Sequence, residues 1–173
     1  LNFNGSDTLT VVSTDSASPA LGDTDTVAIT VTAVNDAPVN TVPGAQSVAE
    51  DTVLAFSGAA AISAADVDGN LASVRLTVMN GTLAVTVGTT GATISAGANN
   101  SATLTLTGTQ TQINAALATL TYQGVLNFNG SDTLTVLSTD ALGATDTDTV
   151  AIAVTTVNDV PVLAAGKVTL ARS

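Results

Sequence analysis

The sequence predicts an all-β, two-sheet sandwich that recurs in tandem, and three observations carry that expectation. Apolar residues alternate with Thr and Ser at period two over most of the chain, as in Val74, Leu76 and Val78 and then Leu83, Val85 and Val87. Turn residues punctuate these runs. Asn80-Gly81 is the strongest short hairpin signal, because both central residues of a type I′ turn need positive φ. Third, the block LNFNGSDTLTV from Leu1 to Val11 recurs letter for letter from Leu126 to Val136, an offset of 125 residues (126 less 1). The block DTDTVAI from Asp23 to Ile29 returns from Asp146 to Ile152, an offset of 123 (146 less 23). A period of that size is a folded domain and not a solenoid rung.

Taken in order, the elements read as follows. A strand is expected over Val48 to Phe56, then Ser73 to Met79, which turns at Asn80-Gly81 into a hairpin partner in the same sheet. Thr103 to Thr107 places Leu104 and Leu106 inward. Thr109 and Gln112 have capping-box spacing ahead of Ile113, Ala116, Leu117 and Leu120, so a short crossover helix is expected at about Gln110 to Thr119. Thr133 to Leu137 and Thr149 to Val157 complete the set, with Leu134, Val136, Val150, Ile152 and Val154 inward. About seven strands with Thr on the wet face give a Greek-key sandwich of the immunoglobulin-like class.

Both copies close on one junction, Val34-Asn35-Asp36-Ala37-Pro38-Val39 and Val157-Asn158-Asp159-Val160-Pro161-Val162. The expected organisation is residues 1–36 as the C-terminal part of one repeat, 37–159 as a complete repeat and 160–173 as the first strand of the next. The chain reads as a window on a longer array, with any export signal outside it.

Composition removes whole classes of function. There is no Cys and no His, which takes away disulfides, the usual zinc ligands, thiol nucleophiles and imidazole acid/base chemistry, so no enzyme is expected. Arg75, Lys167 and Arg172 are the only cations in a chain of net charge −11, whose field repels nucleic acid. No apolar run approaches a membrane span, so no membrane insertion is expected in this segment. The complete repeat has no Lys, which excludes covalent Lys-to-Asn cross-links as the stiffening device.

The acids carry the functional signal: 14 in all, every one an Asp except Glu50. Asp is the short carboxylate suited to loops where several oxygens converge on a cation. In the complete repeat and its two junctions they fall at Asn35-Asp36, at Glu50-Asp51, in Asp66-Val67-Asp68-Gly69-Asn70, at both ends of the strand from Asp132 to Asp140, at Asp146 and Asp148, and at Asn158-Asp159. Strand polarity puts Asp66, Asp68, Asn70 and Asp140 at the end beside the leading linker and Asp159 at the other. Two carboxylates 4 Å apart repel by about 4 kcal/mol at an effective dielectric near 20, and a divalent cation would join them. Calcium is the oxygen-only cation that tolerates irregular cages. Asp23, Asp25, Asp146 and Asp148 read instead as strand-edge guards or turn residues, and Asp7 and Asp132 as caps of the Asn-Gly-Ser turn.

The order of an Asn-Asp-x-Pro junction, Glu50, Asp66-x-Asp68 with Asn70, Thr139-Asp140-x-x-Gly143 and a second Asn158-Asp159-x-Pro161 resembles the calcium framework of cadherin repeats. The NDAPV spelling and the NFNGSDTLTV block are most similar to the cadherin-like tandem repeats of giant secreted bacterial adhesins. The resemblance implies that Asn35 and Asp36 bind calcium from the linker, Asp66, Asp68, Asn70 and Asp140 from the following domain, and Glu50 toward the next linker at Asn158 and Asp159. It also implies an extracellular, bacterial cell-surface spacer in an adhesion, biofilm or fibre protein, whose partners are neighbouring repeats. No Asp-Arg-Glu element precedes Asp132, which leaves the number of ions per junction open. Two other functions stay open: a polysaccharide-binding module, against which the scarcity of aromatics counts, and a filament subunit joined by strand exchange. Asn4, Asn80, Asn99 and Asn129 match the glycosylation acceptor pattern but read first as turn residues.

Overall fold

A computed structural model describes residues 3–160. The expected strand over 160–173 lies, apart from Val160, outside the described residues. β1 (Gly5–Thr14) and β2 (Gly22–Val31) form a hairpin of their own. The sandwich follows: β3 (Val39–Thr41), β4 (Gln46–Ala49), β5 (Val53–Ala55), β6 (Ser63–Ala65), β7 (Leu71–Thr77), β8 (Gly81–Ala84), β9 (Thr93–Gly97), β10 (Thr103–Thr107), α1 (Gln110–Leu117), β11 (Thr121–Gly124), β12 (Gly130–Asp140) and β13 (Thr145–Thr155). One sheet has six strands in the order β4-β13-β12-β7-β10-β9, with β4 parallel to β13. The facing sheet has the order β5-β11-β8, and β3 pairs with β6 at one side.

The period-two reading is correct for side-chain direction. Val74, Leu76, Leu83, Leu104, Leu106, Leu134, Val136, Val150 and Ile152 are all buried between the sheets. Each such side chain contributes roughly 1.5–3 kcal/mol of hydrophobic stabilisation. Thr77, Thr105 and Thr135 lie on the outer face of the six-stranded sheet, only half-buried. The helix forms where its capping box predicts: the Thr109 hydroxyl accepts from Gln112 N and the Gln112 amide oxygen from Thr109 N. Ile113, Ala116 and Leu117 then face the core, and the helix carries the chain from β10 in one sheet to β11 in the other.

Three expectations fail. Asn80-Gly81 does not make a hairpin within one sheet: β7 pairs with β10 and β12, whereas β8 pairs with β11, so the turn crosses between sheets. Gly81 is there for space. A Cβ on it would stand 2.3 Å from the Tyr122 ring and 2.6 Å from the Gln123 carbonyl. Second, the single strand over Val48 to Phe56 is two strands in different sheets, because Asp51 takes φ 61° and turns the chain. Third, the complete repeat uses eleven short strands rather than about seven, β3, β6, β9 and β11 being too short or too polar to show alternation.

Candidate metal centre

β12 organises both ends of the sandwich. Its inward phase holds Asp132, Leu134, Val136, Ser138 and Asp140 in succession, all buried. Asp140, at its upper end, closes a turn: Oδ1 accepts from Leu142 N at 2.9 Å and Ala144 N at 2.7 Å. Asp140 Oδ2 accepts from the Asn35 amide at 2.6 Å, which brings the leading linker down onto the sandwich. That hydrogen bond, seconded by the backbone N–H groups of Ala144, Leu142 and Gly143, holds the Asp140 carboxyl below the ordinary carboxylate range despite its burial.

Asp66, Asp68 and Asn70 reach the same place from the loop before β7. Asp66 is buried, its N–H donating to the Gln110 side chain at 2.8 Å, and its Oδ1 accepts from Asp68 N at 2.8 Å. Asp68 Oδ2 accepts from Asp36 N at 2.8 Å. Asn70 O accepts from Ala141 N, tying this loop to the turn after β12. Six of the nine candidate ligands, Asn35, Asp36, Asp66, Asp68, Asn70 and Asp140, therefore lie in one connected network.

That network is short of protons. Asp140, Asn35, Asn70 and Asp66 stand in a row: Asn35 Oδ1 lies 2.9 Å from one end of the Asn70 amide, whose other end lies 3.0 Å from both Asp66 oxygens. A carboxylate only accepts, and an amide has one donor end and one acceptor end. The row has three contacts and two donor ends. With Asn70 nitrogen on Asn35, its oxygen faces Asp66; turned round, its oxygen faces Asn35 Oδ1. In either orientation two oxygens meet at about 3 Å with no hydrogen between them, an arrangement that a hard cation among oxygens would relieve. Among the described residues no three Asp or Glu side chains converge closely enough to hold an ion by themselves, since amides are interleaved with the carboxylates. The all-oxygen donor set and the missing proton fit calcium, with amide oxygens as part of the set.

The other three candidates lie at the far end of β12, beside Gly130. Glu50 is buried: its Oε1 accepts from Val157 N at 2.7 Å and its Oε2 from the Asn129 amide at 3.3 Å, while its own N–H donates to Thr155 O. Asn158 and Asp159 follow on the exposed trailing linker. The nine residues thus divide between two ends separated by β12, about 30 Å at the usual strand rise.

Two buried polar sites were missed by sequence reasoning. Asp132 is no surface cap: it receives Met79 N at 3.1 Å, Asn80 N at 2.9 Å, Thr133 N at 2.8 Å and the Tyr122 hydroxyl at 3.0 Å. It thereby pins the crossing turn after β7. Burial, with the Asp132 carboxylate beside it, pushes the Tyr122 phenol strongly up. The second is Asn40 on β3, whose N–H donates to Asp146 Oδ2 at 2.7 Å and whose Oδ1 accepts from the buried Ser138 hydroxyl. Asp146 is therefore a structural acceptor and not an edge guard. The signal was available in the strand phase, because Asp132 and Ser138 share the parity of Leu134 and Val136.

Residues 54–149 match the profile of a family described as the Protein GAMETE EXPRESSED 2 domain. Among solved structures, the chain is similar to Protocadherin Gamma B2 extracellular cadherin domains 3-6, at 17% identity and a TM-score of 0.42, over 87% of this chain and 32% of that one. The chain thus spans about a third of the length of that structure. No protein of curated function matches it by sequence. No described helix is long and apolar enough to cross a membrane.

Proposed function

The chain belongs to the Protein GAMETE EXPRESSED 2 domain family, and from that premise we propose that it is a structural spacer: a calcium-stiffened extracellular repeat of a large adhesion or fibre protein. The observation that carries this reading is the proton shortfall in the row from Asp140 through Asn35 and Asn70 to Asp66. It sits where the linker joins the sandwich, so whatever relieves it also fixes the linker. The bacterial cell-surface setting rests on the sequence resemblance alone.

Each residue in the network has a separate task. Asp68 holds the linker backbone at Asp36 N, and Asn35 bridges the linker to β12 through Asp140. Asp66 is fixed from beneath by Gln110 at the start of α1, so its carboxylate is positioned by the core. The Asn40 contacts to Ser138 on β12 and Asp146 on β13 anchor the first strand after the linker. Calcium, when bound, would supply the positive charge that lets these oxygens approach one another. No residue is assigned a chemical step.

The test is solution scattering on a tandem array of residues 37–159. Calcium should lengthen and stiffen it over about 10⁻⁴ to 10⁻³ M, the range usual for extracellular modules, and magnesium should not replace it. Asp66→Ala with Asp68→Ala should abolish the response while circular dichroism keeps its β signal. An array equally extended in chelator and in calcium would sink the proposal.

A further inference from the structure

All the acids on the six-stranded sheet lie in its inward phase. Asp132 and Asp140 on β12 and Asp146 and Asp148 on β13 share the parity of Leu134, Val136 and Val150, and β4, β7, β9 and β10 contain no acid. The outer face of this sheet therefore carries no carboxylate, although the chain has 14 acids and a net charge of −11. It carries instead the one cation of the described residues, Arg75, exposed on β7. Arg75 has no hydrogen-bond or ion-pair partner among the described residues.

Its surroundings are hydroxyls. Register places Thr105 on β10, Leu137 on β12 and Thr147 on β13 in one row with Arg75. The row on one side is Thr103, Thr77, Thr135 and Thr149, and the row on the other is Thr and Ser throughout. Rows stand two residues apart along each strand, roughly 6.6 Å, and strands stand about 4.8 Å apart. The Thr103 hydroxyl donates to that of Thr77 at 3.5 Å, whereas those of Thr105, Thr135 and Thr147 meet no protein partner among the described residues. Each can both donate and accept.

Chemistry narrows the occupant. A protein interface is centred on buried apolar and aromatic anchors, and Leu137 is the only large apolar side chain in these rows. An anionic lipid surface or a nucleic acid needs several cations. A polyhydroxylated chain needs neither: its hydroxyls match those of Thr, and a planar guanidinium takes a sugar carboxylate through two parallel hydrogen bonds. One cation in a chain of net charge −11 suits an isolated carboxylate and leaves a ligand charged on every unit repelled.

We propose that the outer face of the six-stranded sheet, centred on Arg75, binds a glycan that is neutral over most of its length and carries isolated sugar carboxylates. Arg75 holds the carboxylate, and Thr77, Thr105, Thr135 and Thr147 pair with sugar hydroxyls. The site goes beyond the spacer reading and needs no calcium, since no carboxylate of the protein lies on this face. Without an aromatic platform on which sugars stack, the affinity of one site is about millimolar.

The experiment titrates the isotope-labelled chain with sialyllactose in chelator and follows backbone amides and the Arg75 Nε–H by nuclear magnetic resonance. Saturable shifts should centre on Arg75, Thr77, Thr105, Thr135 and Leu137, and lactose, which lacks the acidic sugar, should bind at least about fivefold more weakly. Arg75→Gln should bring sialyllactose down to the level of lactose. Thr105→Val with Thr135→Val should weaken both sugars while the β signal in circular dichroism is kept. The absence of a saturable shift on this face up to about 20 mM, or a shift untouched by Arg75→Gln, would overturn the proposal. So would acetate binding as tightly as sialyllactose, since the hydroxyl rows would then contribute nothing, or an aspartate-containing tripeptide binding more tightly, which would make the partner an acidic peptide. Because chelator is present throughout, failure here leaves the calcium reading standing, and an array that ignores calcium leaves this result standing.

Discussion

Asn35 and Asp140 lie 105 residues apart in sequence, yet the Asn35 amide donates to Asp140 Oδ2 at 2.6 Å. One linker residue and the last residue of β12 are thereby joined by a single short contact. The donor is neutral and the acceptor charged, so the pair adds a negative charge to a network already short of protons. Asn35→Asp would remove the donor and add a carboxylate. Calcium affinity, measured by calorimetry, should rise several-fold with the ligand charge, and the linker should become looser than wild type in chelator. Unchanged affinity would place the ion elsewhere.

The same contact predicts a pH dependence. Asp140 has its carboxyl held below the ordinary value of about 3.9. A depressed folded-state value means that the stabilisation is fully present above the unfolded-state value and is lost as pH falls through the folded one. Stability should therefore decline as pH falls below about 4, and Asn35→Ala, by removing the largest cause of the depression, should bring the folded-state value closer to the unfolded one, so that less stability is lost and the decline ends at a higher pH. Carbon-13 titration of the Asp140 carboxyl in the two proteins measures both values directly.

Tyr122 and Asp132 support a stability prediction independent of metal. Tyr122→Phe deletes one hydrogen bond to a buried carboxylate and should cost about 1.5–3 kcal/mol in chemical denaturation. Asp132→Ala should cost more, because Met79 N, Asn80 N, Thr133 N and the Tyr122 hydroxyl all lose their shared acceptor. Equal costs would mean that the backbone donors find other partners.

Gly81→Ala tests why that turn carries glycine. A methyl group there meets the Tyr122 ring and the Gln123 carbonyl well inside contact distance, so a loss of about 1–3 kcal/mol is expected. Combining it with Tyr122→Ala should remove part of the penalty, since the ring is the nearest obstacle. If positive φ were the requirement, the double variant would recover nothing.

Much of the fold was legible because the apolar period is strict. Leu134, Val136, Val150 and Ile152 alternate with Thr and Ala so regularly that their direction follows from position alone, and the Thr109/Gln112 box set the start of the helix. The two sheets were harder to apportion. Asn80-Gly81 carries a hairpin signature, yet the turn is shaped by Asp132 and Tyr122, more than 40 residues away, which no local pattern reveals. The division of the acids between two ends followed from strand polarity, whereas the part played by amides did not. Asn35 and Asn70 were read as oxygen ligands, and their positions as the only donors in a row of acceptors needed side-chain geometry.

The most direct test of the central claim is the distribution of distances between spin labels at Ala17→Cys, in the loop joining β1 to β2, and Thr133→Cys on β12. The chain has no other cysteine to label. If calcium fixes the linker through Asn35, Asp66, Asp68 and Asp140, the distribution is narrow in millimolar calcium and broad in chelator, with an unchanged β signal. A distribution of the same width in both would contradict the account.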